Sequence, residues 1–298
     1  MDRSAHIFCF LFGPTLLLAL ALCGSHVEAQ TQSRKPLVSA LYVFGDSTID
    51  PGNNNQLNTV FKANFPPYGR DFLDGRPTGR FTDGKLITDI ISGLVGLPDL
   101  LPAYLDSKFH GEKLLTGASF GSAGAGLADS TSLPVNVIPL RKQLENFRRY
   151  RSQLTEMIRR ENASRIVSQA LFGISMGTND YVDNYYSNPV TRNMYSLAQF
   201  EDLLHHSLTV FIENVYREGA TRLVVVGLPP FGCCPLTNTL HNFLNNSCDE
   251  EMNQAATSFN NKTTALIDKM NLTFPGLRIY YFDIYQKLYD IIKYPNKY

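Results

Sequence analysis

Apolar and polar positions fall into alternating blocks along the chain. Five short runs rich in β-branched and aromatic residues stand out: SALYVFG (39–45), GASFGS (117–122), QALFGISMG (169–177), TRLVVVGLP (221–229) and LRIYYFD (277–283). Several are nearly continuous in apolar residues, without period-two alternation, which predicts strands covered on both faces of a parallel sheet. Between them the apolar spacing lengthens to three and four, which predicts amphipathic helices. Residues 83–96 place Leu86, Ile87, Ile90, Ile91, Leu94 and Val95 on one face, expected to be buried, and stop at Gly96 and Pro98. Residues 139–161 read as one long basic helix with Leu140, Leu144, Phe147, Leu154 and Ile158 toward the core. Residues 196–219, 249–271 and 284–294 continue the helical spacing.

Each parallel strand needs a crossover helix, so this alternation predicts one doubly wound α/β domain. In such sheets ligands sit at the carboxyl ends of the strands, and chemistry is to be sought there.

The first residues break the pattern. MDRSAH is followed by IFCFLFGPTLLLALALC, which is short for a membrane span and interrupted by Pro14. Val27 and Ala29 supply small residues before Gln30. Residues 1–29 are therefore expected to be a signal peptide and residues 30–298 the domain. The expectation is a secreted, extracellular protein with no transmembrane anchor.

Composition adds little beyond exclusions. The 298 residues are 44% hydrophobic, enough for a substantial core, and 27 basic side chains balance 27 acidic ones. That balance gives no electrostatic case for nucleic acid, and the arginines of 139–161 are expected on a solvated face. Sequons at Asn162, Asn245, Asn261 and Asn271 are candidate N-glycan sites. Removal of Cys9 and Cys23 with the signal leaves Cys233, Cys234 and Cys248. Cys248 is expected to bridge to Cys233 or Cys234, leaving the other thiol unpaired. No His or Cys lies at ligand spacing from the Cys-Cys pair, so no metal and no cofactor are expected.

Three strand ends share one theme. The first closes in Gly-Asp-Ser, where Gly45 permits a sharp turn that exposes the Ser47 hydroxyl. The second runs into SAGAGLADS, whose Gly124 and Gly126 leave backbone N–H groups open to close approach by a ligand. The third ends in GTNDY, with Asn179 presenting an amide. Alone, each is an ordinary turn. Together they place a hydroxyl, bare N–H groups and an amide on one rim, the equipment of an oxyanion hole. A nucleotide site at the Gly-rich loop is disfavoured, because no G-x-G-x-x-G fingerprint is present.

The blocks VFGDSTIDPGNNN, SFGSAGAGL, GTNDY and VVVGLPPFGCCP, with PYGRDF and PTGRFTDGK between the first two, resemble the plant GDSL esterase/lipases of the SGNH hydrolase superfamily. The resemblance runs over 39–298. It implies a flavodoxin-like three-layer α/β/α sandwich with a mainly parallel five-stranded sheet. It implies Ser47 as nucleophile, with Gly124 and Asn179 joining the Ser47 N–H in the oxyanion hole. It further implies a small-molecule or lipid carboxylic ester, or an acylated polysaccharide, as substrate, and a place in the apoplast or cell wall. Thr48 stands where the family usually has Leu, which is expected to matter little.

A serine hydroxyl needs a base to accept its proton. In the family a carboxyl-terminal Asp-x-x-His block supplies it, and the sequence reaches YPNKY without that block. The domain is therefore expected to be incomplete at the carboxyl terminus, with apolar surface uncovered near the site and reduced stability. The one literal Asp-x-x-His, Asp202 and His205, belongs to a crossover helix and is not expected to serve. Two functions follow: an ester hydrolase acting through an acyl-enzyme on Ser47, or an impaired form that acts as a secreted ligand-binding glycoprotein.

Overall fold

The computed structural model describes residues 35–241 and 247–298. The expected signal peptide and Asn245 lie outside them. Pro36–Tyr298 forms one unit built on a single five-stranded sheet. The strands are β1 (Leu41–Gly45), β2 (Gly117–Ser119), β3 (Leu171–Ser175), β4 (Arg222–Val226) and β5 (Arg278–Phe282). Their order is β2-β1-β3-β4-β5, and every pair is parallel. All five lie inside the predicted runs.

Six helices matter here: α1 (Ile87–Leu94), α2 (Leu140–Ile158), α3 (Arg160–Gln169), α4 (Leu197–Arg217), α5 (Glu250–Thr273) and α6 (Tyr285–Lys293). The two faces of β1 are covered separately, giving three layers. Tyr42 and Phe44 pack with Phe147 of α2 and Phe211 of α4, while Leu41 and Val43 pack with Ile91 of α1 and Val95 beyond it. Ring centroids lie 5.1 Å apart for Tyr42 and Phe147 and 5.0 Å for Phe44 and Phe211, the range of favourable edge-to-face contacts. Among the described residues no helix is long and apolar enough to cross a membrane.

Two helices depart from the pattern. The predicted helix over 139–161 breaks at Arg159, whose φ of +69° ends α2 and starts α3. The arginines of α2 are partly paired rather than simply solvated, since Arg148 and Arg151 both reach Glu218 at the end of α4.

The second departure is larger: α1 is turned so that only part of the expected face, Leu86, Ile91 and Val95, meets the core. Ile87, Ile90 and Leu94 are exposed, whereas Thr88, Asp89 and Ser92 are buried. Asp89 is the reason. Its carboxylate accepts from Arg80 Nε at 2.8 Å and Nη2 at 3.1 Å, and from the Leu86 and Leu101 N–H groups at 2.8 Å each. A buried ion pair with this many donors overrides the apolar stripe, because an unpaired buried charge costs more than a few exposed methyl groups.

At the sheet edge, Arg278 N–H donates to Thr221 O and Phe282 O accepts from Gly227 N–H, so the alternate groups of β5 face outward. The Asn271 side chain takes those of Ile279, accepting from its N–H at 2.8 Å and donating to its carbonyl at 2.9 Å. No residue of α6 is buried, and Leu288, Ile291 and Ile292 are exposed together with Tyr280 and Phe282 of β5.

Candidate active site

Strand order reverses at β1, so the crevice between loops opens at the carboxyl ends of β1 and its neighbours. The chain leaves β1 through Gly45, at φ +152°, where a Cβ would stand 2.0 Å from Ser175 O of β3. Only glycine fits that approach. One tight turn, Ser47–Ile49, follows. Asp46 caps it, accepting from Thr48 N–H at 3.0 Å and from the Thr48 hydroxyl at 2.8 Å. With its own proton given to Asp46, Thr48 Oγ1 accepts from the Ser175 hydroxyl at 2.9 Å. The residue expected to matter little thus ties the serine turn to β3.

The loop after β2 is fixed by donors from all sides. Ser122 N–H donates to Gly45 O, Ala123 N–H to Asp50 Oδ2, Ala125 N–H to Ser122 O and Gly126 N–H to Ser132 Oγ. Leu127 and Ala128 N–H donate to the Asp180 carboxylate at 2.7 and 3.0 Å. Gly124, at φ +81° and with the Phe61 ring 3.3 Å from where a Cβ would stand, is the exception. Across 122–128 its N–H alone meets no protein acceptor among the described residues. Across 45–49 the same is true of Ser47 alone. Within each of these two short stretches, every backbone donor except one is spent on the loop's own architecture.

Asn179, at the end of β3, donates one amide hydrogen to Ala125 O at 2.9 Å and keeps the other. Ser47 and Asn179 are half-buried, and Gly124 is buried. Ties from Gly45 to Ser122, Asp46 to Ser175, and Asn179 to Ala125 gather the three predicted residues on one rim. The role foreseen for Gly126 fails. Its N–H is used internally, and its missing side chain makes room for Asp180, which a Cβ would approach to 2.4 Å.

Several residues that build the rim escape a periodicity reading because they are buried and polar. Asn53 donates to Ser119 O and Gly121 O and accepts from Leu105 N–H; Asn54 donates to Phe61 O and Ala123 O. The Asn run after the serine turn is thus the strut between the first two loops. Burial pushes Asp46, Asp50 and Asp180 up to about 6 each, against the pull of the N–H groups that they accept. Near neutral pH all three remain acceptors.

No described histidine adjoins Ser47 by hydrogen bond. His205 Nδ1 meets Glu201 O, its Nε2 meets Thr263 Oγ1 at 3.1 Å, and its ring lies 4.4 Å from that of Phe259. Burial lowers its pKa. It joins α4 to α5, while Asp202 turns outward to Lys262. His110 and His206 are exposed.

The disulfide joins Cys233 to Cys248, and Cys234 is a half-buried free thiol among the described residues. Asn162, Asn261 and Asn271 are exposed, although both ends of the Asn271 amide are engaged by Ile279. Among the described residues, no three His, Cys, Asp or Glu side chains are grouped to hold a metal ion.

The profile of the GDSL-like lipase/acylhydrolase family matches residues 41–297. The chain is 41% identical over 297 residues to GDSL esterase/lipase APG of Arabidopsis thaliana, covering 100% of this chain and 81% of that relative. It is 43% identical over 268 residues to GDSL esterase/lipase At3g53100 of the same plant, covering 89% and 76%. With GDSL esterase/lipase At5g45960, also from that plant, identity is 40% over 271 residues, covering 89% and 72%.

Proposed function

The chain belongs to the GDSL-like lipase/acylhydrolase family, and from that premise we propose that Ser47 is the nucleophile of a secreted carboxylic ester hydrolase. Ser47 Oγ adds to the ester carbonyl as its proton passes to water, which returns one to the leaving alkoxide, and the developing oxyanion accepts hydrogen bonds from the Ser47 N–H, the Gly124 N–H and the second Asn179 hydrogen. Collapse breaks the C–O bond and releases the alcohol, and water then hydrolyses the acyl-serine. The observation that carries this is the pair of unspent backbone donors, one in each loop. Fixed donors aimed at a developing charge cost no reorganisation and are often worth about 10²–10³-fold each.

The substrate class is an ester of a lipid, an acylated small molecule or an acylated polysaccharide, met outside the cell in the apoplast or wall. Exposed Asn162 and Asn261 are the favoured N-glycan positions, with Asn245 and Asn271 as further candidates. A second reading rests on His205, the histidine of the one literal Asp-x-x-His, being built into the seam between α4 and α5. Without a base at Ser47, the hole and substrate binding alone support a residual rate of roughly 10³–10⁴-fold over water. The protein then acts chiefly as a secreted ligand-binding glycoprotein.

One experiment separates the two. A short-chain nitrophenyl ester is turned over by the purified protein and by Ser47→Ala, with fluorophosphonate labelling run alongside. A Ser47-dependent rate with stoichiometric labelling supports the hydrolase. Saturable ligand binding with equal rates for both proteins supports the binder.

A further inference from the structure

Gln143 sits on α2, in a helix whose sequence offered only a core stripe and a charged face. Its side chain is fully buried. Gly45 N–H donates to Gln143 Oε1 at 2.9 Å, and Gln143 Nε2 donates back to Gly45 O at 2.8 Å and to Ile138 O at 3.1 Å. The reason for this insertion is the shortness of β2. It ends at Ser119, so β1 outruns its neighbour, and although Gly45 O still accepts from Ser122 N–H, the Gly45 N–H has no strand carbonyl to meet on that side. The amide of Gln143 stands in for the missing peptide.

The contact closes a ring. Ser122 N–H donates to Gly45 O at 3.0 Å. Ile138 N–H donates to Ser122 Oγ at 3.0 Å, and Ile138 O receives Gln143 Nε2. Gly45 lies two residues before Ser47, and Ser122 lies two residues before Gly124. All four members are buried, where an unpaired polar group costs more than a neutral hydrogen bond returns, so the ring is held or broken as a unit.

We propose that Gln143 is a positioning residue that sets the spacing of the Ser47 and Gly124 N–H groups by holding both loops from the first turns of α2. This rests on the reading of those two groups as oxyanion donors. Gln143 touches no reacting atom and acts through Gly45 and Ser122.

The test uses Gln143→Met, which keeps the length but loses donor and acceptor, and Ser122→Ala, which removes the hydroxyl that Ile138 N–H meets together with its bond to Asn54 Oδ1, while the Ser122 N–H to Gly45 O bond stays. On an activated ester each lowers kcat about 10–100-fold with KM within about two-fold, as expected when donors are misplaced rather than removed. The double variant loses less than the product of the two. A folded Gln143→Met with kcat within two-fold of wild type overturns the proposal, as does full multiplicativity. If Gln143→Met does not fold, Ser122→Ala decides on the same kcat and KM criteria.

Amide hydrogen exchange reads the ring without activity. Gly45 exchanges at least about ten-fold faster in either variant while β4 amides stay unchanged, as for local opening. An unchanged Gly45 rate overturns the proposal. If wild type and Ser47→Ala turn over the ester equally, the catalytic reading fails, and the exchange result still decides whether Gln143 holds the two loops.

Discussion

Gly126 lies against the carboxylate of Asp180, so close that a methyl group on its Cα would stand 2.4 Å from Oδ1. Asp180 is buried at the start of the wide turn after β3, and it accepts Leu127 N–H, Ala128 N–H and the Thr131 hydroxyl. The residue next to Asn179 therefore clamps the loop that carries Gly124. Gly126→Ala is expected to cost about 1–3 kcal/mol, the usual range for overpacking. Urea unfolding measures it, and a loss below about 0.5 kcal/mol would mean that the carboxylate has room to move.

The three buried acids predict an unusual pH profile. Their folded pKa values near 6 exceed the ordinary 3.8, so the folded state binds protons more tightly than the unfolded state. Their contribution to stability is full below about 3.8 and is lost as pH rises through about 6. His205, lowered by burial, works in the opposite direction, its contribution being lost as pH falls through its folded pKa. With three acids against one base, Tm is expected to rise on going from pH 7 to pH 5, and to rise further in His205→Gln. A scan of Tm between pH 4 and 8 checks both; a monotonic fall on acidification contradicts them.

His205 also tests the misleading Asp-x-x-His. Its ring bridges two helices and is engaged at both nitrogens. His205→Ala is expected to lower stability by about 1–3 kcal/mol through the unsatisfied groups that it leaves. Ser47-dependent turnover of the remaining folded protein should stay within two-fold. A hundred-fold loss of kcat with stability intact would make His205 the base after all.

The turn of α1 can be read from two substitutions. Asp89→Ala strands the buried Arg80 guanidinium and is expected to cost about 3–5 kcal/mol. Ile90→Ser, on the outward face, should fall within about 0.5 kcal/mol. Chemical denaturation ranks them, and the reverse ranking would place the apolar stripe in the core.

Cys233 and Cys248 enclose the segment between the fourth strand's loop and α5, a separation of 15 residues. Loop-closure entropy at this length gives about 3 kcal/mol. Cys248→Ser should lower Tm accordingly, and a reducing agent should lower wild type to match it.

What could be read from sequence follows a physical divide. Strands such as RLVVV announce themselves because a parallel core strand must be apolar on both faces, and turn residues such as Gly45 and Gly177 mark where strands end. The places of Ser47, Gly124 and Asn179 just beyond strand ends were legible because Gly and Asn mark the sharp turns there. Gln143, Asn53, Asn54 and Asp180 were not, since each has a decisive partner among backbone groups 53 to 98 positions away and periodicity counts them as surface. The same blindness turned α1 from its expected face, where the single residue Asp89 holds Ile87, Ile90 and Leu94 of the apolar stripe outward. The break at Arg159 carries neither Gly nor Pro to signal it.

Ile279 shows how a sheet that must end can end safely. An outer strand offers its outward N–H and C=O groups to any extended chain that arrives, and aromatic residues such as Tyr280 and Phe282 would make such an addition adhesive. The Asn271 side chain occupies that pairing position with the geometry of a peptide group. One amide thus does the work of a gatekeeper against edge-to-edge aggregation, and it does so from the neighbouring helix, while the strand's one charge, Arg278, stands at its first position.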